Sequence, residues 1–226
     1  MVSWLDQIKH DADTLYLLGD IVDYWFEYKM TIPKGFSRLW GKLAELSDLG
    51  IKIEWYTGNH DMWDFGYFKK ELGIEIYKSY QIKQIYGKAC FLGHGDGLGK
   101  GDLKYKFIKS ILSNSLCQLL FSMLPSRIGI WLMKASSNTS RHSQEIDTEK
   151  SQQKEQSLFN FFEGISNEKK VDYFIYGHLH TASIKRSIDG KSEYINLGDW
   201  TSLFTYAVMS PEGNLQLKKY QEPDSF

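Results

Sequence analysis

Four times in this chain an apolar run stops at a glycine and passes at once into residues able to bind a metal ion. LYLLGDIVD places Asp20 and Asp23 after the first run, and WYTGNHD places Asn59, His60 and Asp61 after the second. FLGHGD places His94 and Asp96 after the third, and YFIYGHLH places His178 and His180 after the fourth. Short apolar runs closed by a turn residue predict strands. In open α/β sheets the ligand crevice lies outside the carboxyl ends of the strands, and glycine lets the backbone turn sharply and approach a bound group. Taken singly, Asp20 and Asp23 suit a turn or a helix cap, and a lone His-x-His pair is weak evidence. Four such strand ends together predict one rim carrying Asp, Asn and His.

The donor set has its own chemistry. Imidazole, carboxylate and carboxamide without thiolate suit catalytic Mn, Fe or Zn better than a structural zinc site, which favours Cys. The histidines of GHLH and GHGD exceed what one ion with an open position needs. Two ions about 3.5–4 Å apart, sharing a carboxylate, form the arrangement used in phosphoester hydrolysis.

Around these motifs, strands are predicted over 14–18, 51–56, 88–92, 171–176, 193–197, 204–209 and 215–219. Helices are predicted over 1–9, 33–49, 63–72, two arms within 104–133, and 153–165. The alternation predicts an α/β fold, and the closely spaced final strands predict antiparallel pairing there. An α/β domain ordinarily opens on a strand, whereas Val2, Trp4, Leu5 and Ile8 mark a helix, so a strand is expected upstream. The segment 136–157, SSNTSRHSQEIDTEKSQQKEQS, has Ile146 as its one aliphatic residue and is expected to be a solvated loop or a frayed helix start.

Bulk properties narrow the classes. A formal net charge of −1 provides no field to recruit nucleic acid. Cys90 and Cys117 are far apart, which predicts reduced thiols in a cytosolic protein, and MVSWLDQIKHD has charges where a secretory signal would be apolar. The apolar stretch 107–135 is interrupted by Ser113, Asn114, Ser115 and Gln118 and broken by Pro125, well short of the roughly 20 residues that span a bilayer.

With GDIVD, GNHD, GHGD and GHLH in this order from Leu15 to His180, the chain resembles the calcineurin-like metallophosphoesterase family. The resemblance implies a four-layer αββα sandwich in a single domain, 1–226, with a helical lid inserted at about 104–150. It implies two divalent ions, Mn²⁺ foremost, with Asp20 bridging them. Asn59, His94 and His178 would complete one site and His180 would serve the other. Asp20, Asn59 and His60 would be the catalytic set, His60 contacting the scissile phosphate, with Asp23 and Asp61 orienting their neighbours.

GHGDGLGKGDLKYKF and INLGDW resemble a branch of the family acting on a UDP-linked, diacylated glucosamine in lipid A synthesis. For that branch a metal-activated water would split the diphosphate into UMP and the acylated sugar phosphate (lipid X). Asn59, His60, Asp102 and Tyr105 would contact the substrate, at the cytoplasmic face of the inner membrane and with peripheral attachment. Two departures stand beside this. His60 occupies a position where the best-known members of the branch have arginine. No Asp-x-His precedes Asp20, so His180 lacks the companion ligands of the second metal. A metallophosphoesterase for another phosphodiester or nucleotide, and a catalytically impaired lipid-binding homologue, remain alternatives.

Ile108, Ile111, Leu112, Leu116, Leu119, Leu120, Met123 and Leu124 recur at helical spacing inside the insertion. A face of this kind packs on a core or meets acyl chains and a membrane surface, with Lys100, Lys104, Lys106 and Lys109 at its entrance to meet anionic groups.

Overall fold

The computed structural model describes residues 1–101, 103–145 and 148–222. Its elements, in chain order, are α1 (Val2–Ile8), β1 (Thr14–Leu17), α2 (Ser37–Asp48), β2 (Lys52–Tyr56), α3 (Tyr67–Leu72), β3 (Glu75–Tyr77), β4 (Gln81–Ile85), β5 (Lys88–Leu92), α4 (Leu103–Ser113), α5 (Ser115–Ser122), α6 (Ser126–Glu145), α7 (Thr148–Glu168), β6 (Tyr173–Tyr176), β7 (Ala182–Arg186), β8 (Glu193–Leu197), β9 (Thr205–Met209) and β10 (Leu215–Lys219).

One sheet runs β1-β2-β3, all parallel. A second runs β4-β5-β6-β8-β7, with β5, β6 and β8 parallel and the outer strands antiparallel, and β9 pairs with β10 in an antiparallel ribbon. Three buried clusters stack these elements. Trp4, Leu5, Leu43 and Leu46 from α1 and α2 meet Leu15, Leu17, Ile53 and Trp55 from β1 and β2. Leu18 and Tyr56 meet Cys90, Leu92, Ile175 and Ile195 between the sheets. Leu158 and Phe162 of α7 cover Phe91, Phe174 and Tyr194 on the far side. Helix, sheet, sheet, helix is the four-layer α/β order expected. Each buried aromatic or leucine contributes roughly 1.5–3 kcal/mol.

Several boundaries differ from expectation for local reasons. α2 begins at Ser37 rather than at Pro33 because Gly35 has φ 113°, and α3 begins at Tyr67 rather than at Trp63 because Gly66 has φ 124°, neither of which a right-handed helix admits. Segments expected as two arms form three helices. The Asn114 side chain accepts from the Leu116 and Cys117 amides and caps α5, so the insertion breaks there as well as at Pro125. The polar segment 136–157 is helical through most of its length rather than a loop. Its Gln, Glu and Lys residues are good helix formers, and a helix with no apolar stripe is still a helix.

α4 and α5 bury no residue. They are held where the Phe121 ring meets Phe26 and Trp63, each at 4.8 Å between centroids, and where Trp63 Nε1 donates to the Leu112 carbonyl at 2.8 Å. No helix among the described residues is long and apolar enough to cross a membrane.

Candidate metal centre and active site

β1 and β2 belong to one sheet, β5 and β6 to the other, and the loops after all four meet at one rim. Asp20 follows β1, Asn59 and His60 follow β2, His94 follows β5 and His178 follows β6. Asp20 at φ 52°, His178 at φ 68° and His180 at φ 53° are all left-handed, an uncommon state for residues with a Cβ. Strain of about 1–3 kcal/mol per residue concentrates where side chains are held for function.

The three ligand atoms of Asp20, His94 and His178 lie within 4.8 Å of one another. His94 is fixed by its Nδ1, which donates to the Leu18 carbonyl at 2.8 Å, leaving the Nε2 lone pair 3.1 Å from Asp20 Oδ2. Nε2 makes no aligned hydrogen bond among the described residues, and neither does the buried Asn59 Oδ1. Buried acceptors without donors are rare in native proteins. His94 Nε2, beside the Asp20 carboxylate and the His178 imidazole, fits a divalent cation.

The electrostatics agree with that fit. Burial opposes charge on His94, but the Asp20 carboxylate overrides it and pushes the imidazole up to about 9. Burial likewise opposes charge on Asp20, yet the charge of His94 holds its carboxyl well below the usual range. The pair therefore retains one positive charge between them, as a proton or as a metal ion. Burial, with the charge of His94 second, pushes His178 down to about 4, leaving it neutral as a ligand must be. Burial also lowers His180.

Around these atoms the positioning contacts are explicit. The His60 amide donates to Asp20 Oδ1 at 2.9 Å, and its Nδ1 lies 2.8 Å from the Asp23 carbonyl. His60 Nε2 stands 3.9 Å from Asp20 Oδ2. Asp61, fully buried, accepts from the Gly58 amide at 2.6 Å and the Ile21 amide at 2.8 Å, tying the first ligand loop to the second. Gly58 is obligatory, because a Cβ there would collide with the Asp20 carboxylate.

His178 joins the Asp20–His94 group, while His180 stands outside it, lining the same cleft. The Tyr105 ring lies 6.4 Å from that of His178. Asp102 falls outside the described residues. Three residues carry more than the motifs indicated. Buried Asp96 receives Tyr105 OH and Lys109 Nζ, both at 2.5 Å on Oδ2, and so anchors α4 to the rim. Its signal was the Asp of GHGD, a residue of ligand type whose carboxylate is turned to α4. Lys154 of α7 lines the cleft and adds positive potential at His178, with no local motif to mark it. Asp199 of INLGDW has the strand-glycine-acid signal, but its carboxylate accepts the Thr201, Ser202 and Leu203 amides and builds a turn.

A rim of this kind at the strand ends of an αββα sandwich defines a metallophosphoesterase. The chain belongs to the calcineurin-like phosphoesterase family, whose model matches residues 1–182. Its relatives are more specific. A UDP-2,3-diacylglucosamine hydrolase of Porphyromonas gingivalis is 32% identical over 92% of this chain and 84% of its own length. One from Histophilus somni is 28% identical over 94% and 88% respectively. Among solved structures, Zn-complexed Vps29 of Entamoeba histolytica aligns over 96% of this chain and 87% of its own, with 11% identity and a TM-score of 0.42. The chain is accordingly a metal-dependent hydrolase of phosphoric esters.

Proposed function

We propose that this hydrolase cleaves the diphosphate of UDP-2,3-diacylglucosamine, releasing UMP and 2,3-diacylglucosamine 1-phosphate in lipid A synthesis. Water attacks the α-phosphorus, the bond from that phosphorus to the bridging oxygen breaks, and the water's second proton leaves with the products. The observation that carries the reading is an anion-seeking rim joined to an apolar helical hairpin, in a chain whose relatives bear that enzyme name. Phe107, Ile108, Leu116, Leu119, Leu120 and Trp131 are exposed on α4–α6. A surface of this kind suits acyl chains at a bilayer interface.

Two divalent ions, Mn²⁺ by donor type, would be held by Asp20, Asn59, His94 and His178, with His180 toward the second; when bound they polarise phosphoryl oxygens and acidify water. Asp20 and Asn59 would present the acceptors, and His60, fixed through the Asp23 carbonyl, would stabilise charge on the scissile phosphate. Tyr105, with Asp102, would hold the glucosamine phosphate, and Lys154 would add positive charge. The reading takes the chain as one domain whose insertion, about 104–150, closes over the rim at the cytoplasmic face of the inner membrane.

The test is to incubate the chain with Mn²⁺ and the UDP-lipid in detergent micelles and to follow UMP by chromatography. UMP release supports the reading, whereas hydrolysis of nucleotide esters with the UDP-lipid intact replaces it. A second reading, a lipid-binding homologue with impaired chemistry, draws on there being one three-residue metal group among the described residues. One bound ion per chain without turnover would establish it.

A further inference from the structure

Glu54 lies on β2, the central strand of the first sheet, and is 1% exposed. Its carboxylate reaches the second sheet, where Lys83 Nζ of β4 meets Oε2 at 2.6 Å. Tyr56 OH donates to the same oxygen at 3.2 Å, and Lys52 Nζ meets Oε1 at 2.7 Å. Lys83 is fixed in turn, donating to Tyr77 OH at 2.8 Å and lying over the Tyr77 ring, which stacks on Tyr56. Burial opposes charge on Glu54, yet the two lysines hold its carboxyl below the usual range. Strand register places the pair at one level in both sheets. Glu54 stands beside Tyr16, four residues before Asp20. Lys83 stands beside Cys90, four residues before His94. At about 3.3 Å per residue the pair lies roughly 13 Å beneath the approach of Asp20 to His94. Leu18, Cys90 and Leu92 belong to the apolar cluster between the sheets there.

We propose that the Glu54–Lys83 pair is a strut that fixes how the two sheets stand over each other, and so positions Asp20 against His94 for the metal. Apolar contacts between sheets are non-directional, and they resist separation more than sliding. A charge-assisted hydrogen bond is short and directional, so it resists the slide as well. Apolar residues of similar volume commonly match or exceed a buried ion pair in stability, so what the pair adds is registry. Registry matters at the rim because Asp20 and His94 come from different sheets, and no contact within either sheet sets their separation. Metal–ligand distances are held to about 0.2 Å, so a small slide at the strut spoils the site. Glu54 and Lys83 touch neither ion nor substrate and act as positioning residues. The inference rests on the metal-binding reading of the rim, not on which phosphoester is cleaved.

The test measures Mn²⁺ affinity by calorimetry and the visible spectrum of the Co²⁺ form, for the full chain and its variants, with urea unfolding in chelator for stability. Glu54→Leu combined with Lys83→Met makes the cross-sheet contact apolar. This double variant is expected to unfold at a urea concentration equal to or above the parent's. It nevertheless binds Mn²⁺ about tenfold more weakly, with a shifted Co²⁺ band. Lys83→Met alone loses affinity too, and Lys83→Arg, which keeps a charge between the sheets, retains most of it. Parental affinity and spectrum in the double variant would overturn the strut, as would affinity losses that merely track the urea midpoint across the variants. Should the double variant not fold, Glu54→Gln carries the same comparison, and parental Mn²⁺ affinity there would overturn it. Absence of Mn²⁺ binding by the parent would overturn the metal reading and the strut together, whereas a binding parent with unaffected variants overturns the strut alone.

Discussion

Replacing Asp61 tests whether the first two ligand loops are held as one unit. The side chain is fully buried and receives two backbone amides, Gly58 N at 2.6 Å and Ile21 N at 2.8 Å, one beside each ligand loop. Hydrogen bonds to a charged acceptor are each worth about 1.5–3 kcal/mol, so Asp61→Ala forfeits roughly 3–6 kcal/mol gross and leaves two buried donors unpaired. Part of that is returned. Burial, followed by the like charge of Asp20, raises the Asp61 carboxyl, so removing it relieves an existing cost. A net loss of about 2 kcal/mol is the expectation, inside the range of buried polar deletions. Asp61→Asn keeps one acceptor and turns an amide donor toward the other N–H, and falls between parent and alanine. Urea unfolding in chelator gives the stability, and Mn²⁺ titration calorimetry gives the metal affinity, which drops about tenfold or more in the alanine variant. Asp61→Ala with unfolding within about 0.5 kcal/mol of the parent and unchanged Mn²⁺ affinity would refute the coupling.

Other outcomes follow from the same geometry. Gly58→Ala drives a Cβ into the Asp20 carboxylate and abolishes tight Mn²⁺ binding in calorimetry while the fold persists by circular dichroism. Asp96→Asn removes the charge that holds Lys109 and Tyr105; since hydrogen bonds to charged groups are worth about 1.5–3 kcal/mol, KM for the acylated substrate rises about tenfold or more with Mn²⁺ stoichiometry unchanged. Phe121→Ala loses the ring contacts with Phe26 and Trp63, at about 0.5–1.5 kcal/mol per pair, so exchange in 115–133 accelerates while the main unfolding transition hardly moves. Asp199, held down to about 2 by the Ser202, Leu203 and Thr201 donors against the effect of burial, stabilises the fold above its unfolded value near 3.9. That contribution fades as pH falls from about 4 to 2, and Asp199→Ala flattens the acid limb of the stability curve.

Much of the scaffold was legible because it is locally encoded. β1, β2, β5, β6, β8, β9 and β10 match the expected strands to within two residues, since each is a short apolar or alternating run closed by a turn signal. The strands not foreseen are β3, β4 and β7. β3 is three residues long, and β7 exposes most of ASIKR at a sheet edge, so neither has a clear pattern. β4 did have a signal in the two-residue turn at Tyr86–Gly87, with φ 46° and 76°, that joins it to β5. The polar reach of α6 and α7 was obscured because composition reports solvation, whereas helix formation here follows residue propensity.

By itself the sequence determined the type of chemistry. Glycine-terminated apolar runs followed by Asp, Asn and His define where metal ligands can emerge, because turn geometry and donor type are properties of a few adjacent residues. Only the tertiary structure decided which donors share a site. Asp20 and His94 are 74 positions apart and come from different sheets, so their 3.1 Å approach depends on how those sheets pack. The same packing turns Asp96 toward α4 and Asp199 into a turn. Side-chain convergence across layers is fixed by contacts remote in sequence, and no local pattern encodes it.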